Sequence, residues 1–471
     1  MSNRARTPNR HLAAVMRDAG LSNKGLAFRM RTLSESDKGK AIAPSHTNVE
    51  KWLSGETKQP SARTCEVLVK VLSHALGRPL TLGDIGYGEA LAQGVDTTLE
   101  YPETVAAAAV SLTQLTSYQL GNDGALPNLY VVPEAWDSLL AKWTYGGDSE
   151  PWRPEAPREI TNIDVEVVRD ATKMFGDFDY RYGGGRPKPL VAQFLETHVL
   201  SLLPHVSPET PLGREYFGAV AGMTRLAGWT AYDLGEHALA QRYLHLGFRI
   251  ARAAGDKPLC GRILAGMSHQ ANFLGQFDRA VHLARAAAYG ARNHATATTM
   301  ALFHAMEARA LASQGNKPET ATALSAAEEW MLRSSPDEDP DWIRYFDRAE
   351  LHAEAAHCFR DLGDPELAVV HAGASIEASE TIYVRSLSFC RTVLATGHLL
   401  ANELDEALRI AKGVVDTAAE LRSFRVVSYL NDFRDRLGSH TGERAVQEFA
   451  DYAEQKLPSK NAPETRKLIV A

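Results

Sequence analysis

Four cysteines in 471 residues are too few and too scattered to frame a fold. Cys65, Cys260, Cys358 and Cys390 form no CxxC pair, so neither a disulfide scaffold nor a thiolate metal site is expected, and buried reduced thiols of a cytoplasmic protein are. Apolar runs are short. None approaches the roughly 20 residues that a membrane span needs, and the opening MSNRARTPNR is followed by no apolar secretory segment. Runs of β-branched residues are few, which disfavours sheets. Catalytic signatures are missing as well: there is no HExxH, GxSxG, Walker loop or Rossmann fingerprint. His352 and His357 stand five apart, not the four of a helical zinc pair. Gly183–Arg186 lead into Pro187 without a phosphate-binding Lys-Ser/Thr, so this Gly-rich stretch reads as a linker. The expectation is a protein without catalytic residues, cofactor, metal or membrane contact.

Ala, Leu and Arg dominate the second half, which favours an all-α protein. Charge is unevenly divided. Residues 1–88 hold 14 Lys and Arg against 7 Asp and Glu, a net +7, while the remainder holds 37 against 51, a net −14. A basic head on an acidic body directs any polyanion to the head. Pattern breaks suggest four segments: a compact helical domain over 1–88, a helical connector with linker segments over 89–189, a repetitive helical domain over 190–456, and a polar tail over 457–471.

Within the head, capping residues and apolar spacing predict four helices. Leu12, Val15 and Met16 mark the first, which Gly20 stops. Ser22 caps a second that turns Leu26, Ala27 and Met30 inward. Ser45 caps a third, ending at Gly55, with Val49, Trp52 and Leu53 on one face and His46, Thr47, Asn48 and Lys51 largely on the other. A fourth starts near Ser61 and carries Cys65, Leu68, Val69 and Leu72 at core spacing. Arg29–Ala43 is read as an enlarged turn between the second and third helices.

The pieces GLAFRM after LSNK, HTNVEKWLSGE and LGRPLTLGDIG resemble the lambda-repressor-like (XRE-type) helix-turn-helix. The resemblance covers about 80 residues and implies that the third helix enters the DNA major groove. It makes Ser45, His46, Thr47, Asn48 and Lys51 candidate base contacts: Asn48 for adenine, Lys51 for guanine or a phosphate, Thr47 for either. The cations Arg29, Arg31, Lys38, Lys40 and Lys58 then suit phosphates. The alternative is a helical domain for protein contact.

The body repeats. AYDLGEHALA, NFLGQFDRA, ASQGNKPET, RDLGDPELA and LANELDEA align on a turn residue: Gly235, Gly275, Gly315, Gly363 and Asn402. Small residues flank each turn, seven before (Gly228, Ser268, Ala308, Ala356, Ala395) and five after (Ala240, Ala280, Thr320, Ala368, Ala407). Such spacing lets two antiparallel helices approach closely, and the pattern resembles TPR repeats that stack into an α-solenoid. A TPR array implies a concave groove lined by the first helix of each hairpin. Carried onto this chain, the groove holds Arg225, Trp229, Tyr232, Arg262, His269, Asn272, Arg309, Glu350, His357 and Arg360. Its arginines suit a carboxylate or phosphate, on a peptide, a small molecule or a protein. Trp342, Tyr345 and Phe346 in DPDWIRYFDRAEL are core candidates first and a secondary ligand site second.

The run from AGWTAYDLGEHALAQRYL to GMSHQANFLG, together with DPDWIRYFD and FRDLGD, looks like a family of Streptomyces and related actinobacterial regulators that join an XRE-type helix-turn-helix to TPR-like repeats. That resemblance implies a regulator of development or specialised metabolism, antibiotic production included, often a repressor. One such module reads only a short half-site, so a homodimer on a double-stranded operator is expected, answering to a ligand or partner in the groove. The alternative is a TPR adaptor.

Overall fold

The computed structural model describes residues 8–36, 42–57, 60–76, 85, 99–121, 129–146, 152, 154 and 156–457. These are helical nearly throughout, with no extended strand among them, and no described helix is long and apolar enough to cross a membrane. The chain divides into two compact units. One is residues 1–97 with 126–128, and the other is the rest.

In the first unit α1 spans Arg10–Asp18, α2 Asn23–Ser36, α3 His46–Leu53 and α4 Ala62–Leu76. Each start is set locally. Asn9 accepts the Leu12 N–H, Ser22 that of Gly25, Ser45 that of Asn48, and Ser61 that of Thr64. Gly20 and Gly55 take φ +63° and +73° where chain direction reverses. Leu12, Leu26, Met30, Val49, Trp52, Leu68 and Leu72 fill one core. The stretch read as an enlarged turn is corrected: Arg29–Ser36 continue α2. Nothing in RMRTLSES breaks a helix, and Met30, Leu33 and Ser34 extend its inward stripe. Ser34, 1% exposed, donates to Arg31 O and Ile42 O and accepts from Ile42 N, so it ties Ile42 to the helix.

In the second unit five hairpins follow one another. They are α9 (Pro211–Asp233) with α10 (His237–Ala254), α11 (Lys257–Phe273) with α12 (Phe277–Ala291), α13 (Ala297–Ser313) with α14 (Lys317–Met331), α15 (Arg348–Asp361) with α16 (Pro365–Ala378), and α17 (Val384–Leu400) with α18 (Leu404–Glu420). All five turn residues are left-handed: Gly235, Gly275, Gly315 and Gly363 at φ +72° to +77°, and Asn402 at +61°. The flanking small residues are buried where paired helices touch. At Gly228 any Cβ would lie 2.9 Å from Leu244, and the Ser268 hydroxyl donates to Ala280 O at 2.7 Å. First helices pack on first helices along the array, and α19 (Phe424–Arg436) and α20 (Arg444–Lys456) cover its end. The result is a solenoid-like stack.

The segment read as a connector carries three helices that belong to this stack. α5 (Val105–Gly121) lies on α10, α6 (Pro133–Tyr145) on α12, and α7 (Asn162–Tyr182) on both α9 and α17. α8 (Lys188–Phe194) follows and packs on α9. Because α7 touches the first hairpin and the fifth, the two ends of the stack meet. The Gly-rich stretch read as a linker is the junction. Gly185 N–H donates to Arg422 O, Arg422 N–H donates to Tyr182 O, and Gly184 N–H donates to the buried Asp233. A Cβ at Gly183 would lie 2.8 Å from Arg422 O, and one at Gly184 2.7 Å from Thr230 O. These glycines permit close backbone approach rather than looseness.

Candidate functional site

Each unit carries its own set of candidate polar residues.

On α3 the residue alternation works as the sequence implies. Val49 and Trp52 face the core, whereas Ser45, His46, Thr47, Asn48 and Lys51 are exposed. Arg29 and Arg31 on α2 are exposed too, while Lys38, Lys40 and Lys58 lie outside the described residues. The cap changes what the exposed set can do. Asn48 Oδ1 accepts from both the Ser45 N–H (2.9 Å) and the Ser45 hydroxyl (2.7 Å), closing a capping box. Both lone pairs of the Asn48 carbonyl are therefore engaged, and a bidentate grip on adenine would have to break the box. Ser45 is likewise committed to the cap. Lys51 Nζ sits 3.1 Å from Glu56, an exposed pair that yields readily to a phosphate. His46 and Thr47 are the most available side chains on this face.

In the second unit a cavity of ≈ 100 Å³ lies against the inner faces of the first helices. The repeat explains its lining. Six residues before the turn residue stand Trp229, His269, Arg309 and His357, and thirteen before stand Arg262, Leu302, Glu350 and Phe389. Those offsets place the residues on one helical stripe. Arg225, from the first hairpin, completes the predicted residues that reach the cavity. Three others stand behind the lining. Tyr232 is fully buried with its hydroxyl 2.7 Å from His269 Nδ1. Arg360 is paired with Asp361 at 2.6 Å. Asn272 Oδ1 finds no donor among the described residues.

Further lining comes from the closure of the stack, which sequence periodicity did not reveal. Asp179 and Tyr180 come from α7 and Arg425 from α19, while Arg385, on the first helix of the fifth hairpin, pairs with Asp179 across that closure. Tyr345, in the longer link between the third and fourth hairpins, stacks under the Arg262 guanidinium at 5.2 Å and lines the cavity, while its neighbour Phe346 is core. Among the missed residues Leu302 and Phe389 fall on the repeating stripe itself, and Met306 and Glu354, each nine before its turn residue, fall beside it.

Five arginines line this cavity, and their pairing is uneven. Arg309 holds Glu354 at 2.5 Å, and Arg385 holds Asp179 at 2.5 Å with Asp233 at 3.6 Å. Burial works against the Arg309 charge, but Glu354 holds its pKa well above the ordinary value. Arg425 reaches Asp233 only at 3.9 Å and stacks over Tyr232 at 4.6 Å. Arg225 and Arg262 have no carboxylate or hydrogen-bond partner among the described residues. Burial, reinforced by the neighbouring Arg262, pushes the Arg225 pKa down to about 10, which still leaves it charged at neutral pH. Burial and the nearby arginines hold His269 and His357 far below the usual histidine range, so both imidazoles are neutral. Burial, then the Glu354 and Asp347 carboxylates, push Glu350 up to about 8, so this lining carboxyl is mostly protonated at neutral pH.

Residues 12–88 match the family model described as the SP15 N-terminal domain. The match spans most of α1 through α4 and none of the array. No curated protein matches the chain.

Proposed function

We propose that the protein is a sequence-specific DNA-binding regulator of transcription. The observation that carries this reading is the solvent face of α3: His46, Thr47, Asn48 and Lys51 stand exposed opposite the buried Val49 and Trp52, in a segment of net +7 within a chain of net −7. Four short capped helices in lambda-repressor-like order support the same conclusion, with α3 as the reading helix. On this reading the array is a TPR-like sensor whose occupant biases the DNA affinity of a homodimer. The resemblance to actinobacterial regulators makes repression of development or specialised metabolism the physiological output. A TPR adaptor is the second reading, favoured by one observation: Ser45 and Asn48 are bound to each other, which leaves fewer free base readers than a helix-turn-helix ordinarily offers.

The test is selection of DNA from a random pool with the full chain, repeated on Thr47→Ala with Lys51→Ala and on Asn48→Asp. Aspartate keeps an acceptor for the Ser45 cap but repels DNA. A single enriched motif, lost in both variants, supports the regulator, and its symmetry reports the dimer. Salt-independent or motif-free binding supports the adaptor.

A further inference from the structure

A buried guanidinium without an anionic partner is costly, because removal from water is not repaid. The second unit carries two without one: Arg262 is buried and Arg225 half-buried, each with a buried, unbonded Nε, and both line the same cavity near enough for Arg262 to disfavour the Arg225 charge. The remaining pairs do not neutralise them. Glu354 is committed to Arg309, Asp179 to Arg385, and Asp233 lies between Arg385 and Arg425 with Ser423 and Gly184 also donating to it. Glu350 alone among the lining carboxyls makes no ion pair among the described residues, and its raised pKa keeps it from supplying the missing charge at neutral pH. Aromatic rings flank Arg262: its guanidinium lies 6.0 Å from the Trp229 centroid and 5.2 Å from that of Tyr345. Leu302, Met306 and Phe389 add apolar lining to the same cavity.

We infer that this cavity binds a small organic anion, with one carboxylate or phosphate held by Arg225 and Arg262 and a flat apolar body against Trp229 and Tyr345. The inference rests on the reading of the array as a sensor and names the chemistry of what it senses. An extended peptide fits the geometry less well. The first-helix surface it would follow is met by α7 and α19, whose Asp179, Tyr180 and Arg425 line the same cavity and interrupt a continuous groove. A planar guanidinium pair favours a bidentate oxyanion over a lone point charge. Tyr180, beside Asp179 at the closure, bounds the same cavity, so an occupant touches residues from both ends of the stack.

Thermal unfolding of the full chain without DNA tests this. The probes are benzoate, phenyl phosphate, inorganic phosphate and neutral benzyl alcohol, each against sodium chloride of equal ionic strength. At saturation, benzoate or phenyl phosphate should raise the Tm of the array by roughly 3–6 °C. Whichever is larger separates carboxylate from phosphate, and benzyl alcohol should do nothing. Inorganic phosphate should give a smaller rise, because it lacks the apolar body. Arg225→Gln and Arg262→Gln should each abolish the rise. Arg262→Gln should also raise the Tm of the anion-free protein, since it removes an unpaired buried charge. Three results would overturn the inference: no aromatic anion exceeds chloride, the rise survives in Arg225→Gln, or Arg262→Gln lowers the anion-free Tm as loss of a structural residue would. Because no DNA is present, failure here leaves the proposed operator binding standing, and failure of operator binding leaves this site standing.

Discussion

The two units hold their polar chemistry in opposite places. The first is basic and exposes its candidate residues on α3, where water screens every charge and a small cost attaches to each. The second is acidic overall, yet it buries four arginines and half-buries a fifth around one cavity. Exposed cations recognise a long polyanion through many weak contacts. Buried cations recognise one small group, because desolvation penalises every occupant that does not match them. The difference also divides the folding problem. The helices of the first unit each start from a neighbouring cap, whereas the second is closed by buried ion pairs as remote as Asp179 and Arg385.

The largest effect should come from breaking that closure. Asp179 and Arg385 are 206 residues apart and almost wholly buried. Asp179→Ala leaves the Arg385 charge with only the more distant Asp233, so the array should lose about 3–5 kcal/mol. Replacing both, Asp179→Leu with Arg385→Met, should recover most of that loss. Calorimetry should show the array transition move while the transition of the first unit stays; a shift of both would erase the proposed division.

The junction glycines give the next effect. Gly183 has φ +78°, and a Cβ there would meet Arg422 O at 2.8 Å, so Gly183→Ala should cost about 2–3 kcal/mol. Gly275, also left-handed but with open space around it, should cost about 1 kcal/mol on the same change. Urea unfolding of both variants separates steric closure from turn strain. Equal losses would mean that the junction is looser than the backbone contacts imply.

These same residues show what sequence can and cannot disclose. The left-handed turns at Gly235 and Asn402 were legible because the requirement is local: a helix ends, and few residues tolerate that φ. The stripe holding Trp229, His269 and His357 was legible because the repeat supplies its register. Gly183–Gly185 were misread as a linker because a glycine needed for close approach looks no different from one in a loop. The length of α2 was missed for a related reason. Its last two turns are held by Ser34 reaching Ile42, which no propensity records. Arg425 belongs to no repeat and was invisible until the stack closed.

Acid sensitivity should belong to the array. His237 is buried between Tyr232 and Phe273 with both ring nitrogens unbonded, and burial, then Arg425, push its pKa down to about 3. A depressed histidine pKa means that the unfolded chain takes up the proton first. The stability tied to the neutral ring is therefore complete above the ordinary histidine value of 6.5 and falls as pH drops toward 3. His237→Phe removes this dependence. Relative to the unmodified protein, its advantage should grow by about 2 kcal/mol between pH 7 and pH 5. Parallel urea series at the two pH values measure the gap, and a constant gap would show that His237 does not stay neutral.

The smallest effect sharpens the comparison most, because it separates folding from recognition inside the first unit. Ser45→Ala removes one side of the capping box and should cost about 1 kcal/mol of that unit's stability, with the array unchanged. Asn48→Asp keeps an acceptor for the Ser45 N–H and hydroxyl and adds negative charge at a helix start, where the helix dipole favours it, so stability should change by less than about 0.5 kcal/mol. DNA affinity should follow the opposite order. It should fall little in Ser45→Ala beyond the fraction unfolded, and steeply in Asn48→Asp, where a carboxylate faces the phosphates. If both variants lost DNA in proportion to stability alone, α3 would be a structural helix and the adaptor reading would stand. If affinity and stability separate as described, the exposed face of α3 recognises DNA through charge and shape while its cap remains closed.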